Sequence, residues 1–169
     1  MDYDFTVESD ADHRAWPILL LAADPSSAKR LVSLLGGLFT VQVASSSEEA
    51  ERSVQDLDYA AVIVDLAFEG GRGAALLARF AELKPATLRV VVGDSSDSRS
   101  ILQTINRVRA YSFIARPWTP ASLLLAIRGA VERYAVISPR DTLSLEEMAR
   151  MEVLASERHI DLFARHFSG

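Results

Sequence analysis

The sequence predicts an α/β domain in which parallel strands form one sheet and helices cover both of its faces. Short apolar runs, Ile18-Leu19-Leu20-Leu21, Ala60-Ala61-Val62-Ile63-Val64 and Leu88 to Val92, are continuous rather than alternating, as in strands buried on both sides. The segments between them carry apolar residues three and four positions apart and open on helix-capping side chains. The two kinds of segment alternate at short spacing, which calls for right-handed crossovers between parallel neighbours. With 49% hydrophobic and 24% charged residues among 169, the chain suits one globular domain plus a modest extension.

Each element has its own signal. Residues 1–15, with Asp2, Asp4, Glu8, Asp10 and Asp12, lack periodicity and read as an acidic arm. Ile18 to Leu21 is the first strand, and Asp24-Pro25-Ser26-Ser27 starts a helix, Asp as the cap and Pro at the first helical position. That helix carries Leu31, Val32, Leu34 and Leu35 and stops at Gly36-Gly37. Phe39 to Ala44 alternates as a second strand, and Ser46 with Glu49 forms a capping box that opens a helix to about Leu57. The third strand ends at Asp65, and Gly70 to Gly73 leads into a helix with Leu76, Leu77, Phe80 and Leu83. Leu88 to Val92 is the fourth strand, and Asp97 begins a more polar helix with Ile101, Leu102, Ile105 and Val108. Tyr111 to Ala115 is the fifth strand, and Thr119-Pro120 caps a helix carrying Leu123, Leu124, Ile127 and Val131.

The pattern is that of a flavodoxin-like three-layer sandwich with a five-stranded parallel sheet over residues 16–136. Residues 137–169 read as a linker and a C-terminal amphipathic helix. Ser144 and Glu147 supply its capping box, and Leu145, Ala149, Val153, Ile160, Phe163 and Phe167 form its apolar stripe. Such a face must be covered by the domain, by a second copy or by another protein.

Composition excludes several function classes. Without cysteine there is no disulfide, thiolate metal site or thiol nucleophile. His13, His159 and His166 lie in the terminal extensions, away from the sheet, and read as surface residues. A net charge of -5 and no basic run argue against nucleic acid as a partner. No apolar run approaches the roughly 20 residues that span a bilayer, and the acidic start lacks the features of a secretion signal. The expectation is a cytoplasmic protein with neither membrane nor nucleic-acid contact.

Ligands of open parallel sheets collect at the carboxyl ends of the strands, which draws attention to Asp65. Asp65 ends the third strand, Gly73 follows eight residues later, and Arg116-Pro117-Trp118 follows the fifth strand. With Thr104-Ile105-Asn106 and Ala110-Tyr111-Ser112-Phe113-Ile114, these residues resemble the receiver domain of two-component response regulators, from about Ile18 to Tyr134. The likeness is to the subgroup whose motif ends in Lys-Pro-Trp. It implies a CheY-like fold and makes Asp65 the phosphoacceptor position. It also implies that Ala22 and Ala23 stand where the family has two metal-binding acids, with Asp24 one place on. Gly93 stands where a Thr or Ser senses the phosphoryl group, Arg116 where a Lys reaches it, Phe113 at the aromatic switch and Glu69 where a Pro follows the acceptor loop. The surface of the fourth helix, fifth strand and fifth helix, including Arg107, Arg109, Tyr111 and Phe113, resembles the face receivers use for partners or dimers.

Phosphoryl transfer to a carboxylate depends on positioning and on neutralising charge, usually with Mg²⁺ held by one or two carboxylates. The expectation is therefore a pseudo-receiver: no enzyme, no cofactor, no Mg²⁺ site and an interaction role with a histidine kinase, an output protein or a second copy. Arg116, whose fork matches a carboxylate, is expected to pair with Asp65 in place of metal and phosphate. Asp24, as a helix cap, is expected to turn its oxygens to backbone N–H groups. The alternatives for Asp65 are a solvated carboxylate retained by descent and a working phosphoacceptor. Small-ligand or flavin binding at the strand ends is a third class of function. Gly70-Gly71-Arg72-Gly73 lacks the Gly-Lys-Ser/Thr of a phosphate-binding loop and reads as a connection, and Ser26-Ser27 is explained by capping. Trp118 reads as a packing residue that anchors the last helix.

Overall fold

The structure, a computed structural model, describes residues 16–94, 98–137, 150 and 153. Five strands form one sheet in the order β2-β1-β3-β4-β5: β1 Ile18–Leu21, β2 Val41–Val43, β3 Ala61–Asp65, β4 Leu88–Asp94 and β5 Ser112–Arg116. Every pairing is parallel. The helices are α1 Pro25–Leu35, α2 Ser47–Asp56, α3 Gly73–Leu83, α4 Ser98–Val108 and α5 Pro120–Ile137. This is the flavodoxin-like sandwich expected, with two differences in strand ends that matter for the site. β4 continues through Gly93 to Asp94 instead of stopping at Val92, and β5 begins and ends one residue later, taking in Arg116. β2 is shorter than Phe39–Ala44, because the Phe39 N–H donates to the Leu35 carbonyl and closes the turn after α1.

Side-chain alternation splits the core. Ile18, Leu20, Ala61, Ile63, Val90, Val92 and Ile114 meet α1 and α5 through Leu31, Leu35, Leu123, Ile127 and Val131. Leu19, Leu21, Val62, Val64 and Val91 meet the other helices through Val54, Leu77, Phe80 and Val108. Trp16 packs edge-on against Tyr134, ring centroids 5.4 Å apart, and ties the end of α5 to the chain entering β1.

Helix starts follow the sequence signals closely. Asp24 accepts from the Ser27 N–H at 2.8 Å and from its hydroxyl at 3.0 Å, and Ser46 accepts from the Glu49 N–H at 3.1 Å. The expected return half of that capping box is displaced by one residue: Glu49 accepts from the Ser45 N–H and hydroxyl, at 3.0 and 2.8 Å. Thr119 accepts from the Ser122 N–H at 3.1 Å. α1 ends at Gly36 in a right-handed conformation, φ -64°, so no left-handed cap is used there.

Arg89 is an unanticipated core residue, only 7% exposed on β4. Its guanidinium donates to the carbonyls of Val108 at 2.8 Å, Thr87 at 2.7 Å and Arg109 at 3.2 Å, satisfying the C-terminus of α4. Burial, and secondarily the charge of Arg109, lower its pKa. No described helix is long and apolar enough to cross a membrane. The acidic arm, the capping box at Ser144, the three histidines, Asp97 and the C-terminal stripe apart from Val153 lie outside the described residues.

Candidate functional site

Strand pleat decides which side chains meet at the carboxyl end of the sheet. Asp65 follows Ala61 and Ile63 on the α1/α5 side, Asp94 follows Val90 and Val92, and Arg116 follows Ile114, all on the same side. Asp94 stands directly opposite Arg116 in the β4–β5 register. Three charged groups are thereby delivered to adjacent strand ends by period-two alternation alone.

Arg116 grips Asp65 with two prongs, Nη1 to Oδ2 at 2.5 Å and Nη2 to Oδ1 at 3.2 Å, and its Nε donates to Asp94 Oδ1 at 3.2 Å. Asp65 is 5% exposed, and Oδ1 also accepts from the Ala67 N–H at 2.8 Å. The Asp94 side chain, by contrast, is 75% exposed, so its bond to Arg116 is a rim contact of small energetic weight. The Asp65 hydrogen bond raises the Arg116 pKa further, against a smaller opposing effect of burial. The fork geometry and always-charged guanidinium make this a neutralised, hydrogen-bonded carboxylate with both oxygens engaged.

The remaining expected residues fall into two places. Asp24 spends both oxygens on Ser27, whose N–H is the main cause of its lowered pKa; Arg116 is near enough to add only a small attraction. Gly93 and Phe113 lie on the opposite face of the sheet from Asp65, beside Leu66. Arg107, Arg109 and Tyr111 are exposed around the α4–β5 turn, with Arg109 left-handed at φ 51° and the Tyr111 hydroxyl lying over Gly129 of α5. Trp118 packs partly buried against the α1/α5 core, and Arg30 stacks over its ring at 5.1 Å. These two residues, with Asp94, Arg116 and Pro117, line an open cavity of about 310 Å³.

Two residues, and the partner of a third, escaped the sequence reading. Asp94 was hidden by ending the fourth strand at Val92; two more residues of alternation would have put it beside Arg116. Leu66 gave no signal, because its packing depends on the bare α-carbon of Gly93 across the ladder. Glu69 was visible as a residue but its partner was not: its carboxylate accepts from the Ser47 N–H at 2.8 Å and from the Ser47 hydroxyl, clipping the β3–α3 loop to the N-terminus of α2. Glu69 itself is left-handed, φ 47°, with Gly70 and Gly71 also at positive φ, as the tight turn requires.

The Ser47 hydroxyl, then its N–H, holds the Glu69 carboxyl below its usual 4.5. A depressed folded-state value stabilises the fold above pH 4.5 and ceases to do so as pH falls through the folded value. Glu69→Gln is accordingly expected to trail the parent protein at neutral pH and to close the gap on acidification. Urea midpoints measured from about pH 6 to about pH 3 check this, and a gap constant over that range would contradict it.

Known receiver domains share this architecture. The family model described as the response regulator receiver domain matches residues 18–128. The chain is 26% identical over 143 residues to the hydrogenase transcriptional regulatory protein HoxA of Bradyrhizobium diazoefficiens, and 27% identical over 137 residues to that of Cupriavidus necator. Those alignments cover 85% and 81% of this chain but 28% of each regulator, so the chain spans under a third of their length. Among solved structures, the signal receiver domain of an HD domain-containing protein from Pseudomonas fluorescens superposes with a TM-score of 0.69 at 28% identity, covering 76% of this chain and 95% of that one. A CheY-like receiver from Methanospirillum hungatei shares the fold, with a TM-score of 0.66 at 17% identity over 73% of this chain and 98% of that one. By its strand order, its strand-end acid and its match to the family model, this chain belongs to the response regulator receiver domain family of two-component phosphorelay signalling.

Proposed function

We propose that this receiver is a pseudo-receiver, a non-enzymatic interaction module of two-component signalling that works in the cytoplasm without Mg²⁺-dependent phosphorylation. The observation that carries the reading is the two-pronged bond from Arg116 to Asp65. A carboxylate that attacks a phosphodonor needs a free oxygen, and the incoming phosphoryl group needs cationic neutralisation. Here both oxygens are already engaged, and the cation is spent on them.

The donor set does not fit Mg²⁺. Ala22 and Ala23 offer no side-chain oxygen, Asp24 is turned to Ser27, and Asp65 is bound to a guanidinium. Signalling would then depend on recognition, through the exposed Arg107, Arg109 and Tyr111 on the α4–β5–α5 face. The partner class is a histidine kinase or an output protein, and the likeness to HoxA proteins makes transcriptional control the first output to examine. A second copy docked on the same face is the homodimeric form of this reading.

A working phosphoacceptor is the second reading, favoured by the retention of Asp65 at the strand end. Incubation with acetyl phosphate and Mg²⁺, followed by intact mass measurement, separates the two. No adduct is expected. A phosphoryl adduct that disappears in Asp65→Asn would establish the second reading and defeat the first.

A further inference from the structure

We propose that the chain's own acidic arm, residues 1–15, docks on a cluster of exposed arginines around the α4–β5 turn, Arg107, Arg109 and Arg133, and covers that part of the α4–β5–α5 face. Elsewhere Arg52, Arg79, Lys84 and Arg128 each meet a carboxylate, at 3.6, 3.0, 2.9 and 3.1 Å. Arg30 lies over the Trp118 ring, and Arg72 is near enough to attract the Glu69 carboxylate. Arg107, Arg109 and Arg133 have no carboxylate partner among the described residues. A fourth guanidinium lies beneath them: Arg89 donates to the carbonyls of Val108, Thr87 and Arg109 and meets no carboxylate there. Its pKa is lowered by burial first and then by the nearby charge of Arg109, so these cations repel one another. Like charges gathered without a counter-charge favour an anionic occupant.

The place where the arm joins the fold selects it as that occupant. Trp16 packs on Tyr134, the residue after Arg133, so the chain before it leaves from beside the last turns of α5. On the flank of α5 that meets β5, a Cβ atom at Gly129 would lie 2.9 Å from the Tyr111 hydroxyl, and Arg133 follows one turn later. Arg109 precedes Tyr111 by two residues, at the end of the sheet where β5 begins. The arm therefore starts about 10 Å from the cluster, one helix diameter away, and fifteen residues reach up to about 50 Å. It carries Asp2, Asp4, Glu8, Asp10 and Asp12 against one arginine, Arg14. Tethering raises its effective concentration at the cluster to the millimolar range, an advantage that the arm of a second copy lacks.

A partner that reads this face must then displace the arm. That consequence rests on the recognition role proposed above, whereas the contact itself is tested with neither partner nor phosphodonor, so either can fail alone. The chain has no cysteine, and Thr6→Cys supplies a single thiol for a nitroxide label. In the full chain at low salt the label is expected to broaden the backbone amide signals around Arg107, Arg109 and Arg133. The broadening is expected to be lost at about 1 M salt, where the screening length falls to about 3 Å. Arg107→Glu with Arg133→Glu is expected to remove most of it. So is Asp10→Arg with Asp12→Arg, which leaves the folded domain untouched, and the two pairs of changes combined are expected to restore it. No broadening at the cluster, broadening that survives both charge reversals, or broadening found only when labelled and unlabelled copies are mixed overturns the inference.

Discussion

Arg116→Met is expected to lower the unfolding free energy by about 3 kcal/mol, while Asp65→Asn lowers it by only about 1 kcal/mol. The asymmetry comes from burial. Removing the guanidinium leaves a carboxylate that is 5% exposed and, among the described residues, has only the Ala67 amide as a donor for its charge. Removing the carboxylate charge leaves a guanidinium 32% exposed, with Asp94 beside it and water within reach. The Arg116 figure sits at the low end for a buried pair because one partner is partly solvated. Chemical denaturation of both variants and of the double variant measures it, and the double variant should be more stable than the two losses added together imply. Equal losses from the two single changes would mean that Asp65 is compensated by something other than Arg116.

Gly73→Ala should cost about 3 kcal/mol, a fall of about 9 °C in Tm for a chain of this size. Alanine at the first position of α3 would ordinarily help, since it restricts the unfolded chain and favours the helix by up to about 1 kcal/mol. The steric term wins because the added Cβ would lie 2.4 Å from the carbonyl oxygen of Asp65 and 3.0 Å from Val64 Cγ1. The first neighbour is main chain at the end of β3 and cannot rotate away. Relief requires α3 and the end of β3 to separate, which would also disturb the Asp65–Arg116 geometry. Thermal unfolding checks the prediction, and a neutral or stabilising result would mean that the start of α3 moves without resistance.

The strands, the helix caps and the position of Asp65 were legible because each depends on residues close together in the chain. Continuous apolar runs demand burial on both faces, and Asp24, Ser46 and Thr119 cap through bonds to residues three positions on. The expectation that Arg116 would meet Asp65 also held, resting on the likeness to receivers and on the guanidinium fork.

The partners of those residues were decided only in three dimensions. Asp94 joins the pair because β4 runs two residues further than its apolar stretch, and strand ends are set by the ladder to β5, not by hydrophobicity. Leu66 lies over Gly93 because the ladder sets the two side by side, and Glu69 meets Ser47 because α2 begins where the β3–α3 loop passes. Arg89, a cation in the core, is held by carbonyls at the end of a helix 19 residues away. By itself the sequence determined the layers and the acid at the end of β3, since alternation and capping are local. The tertiary structure decided which charges and side chains surround that acid, since parallel pairing brings together residues that no local pattern connects.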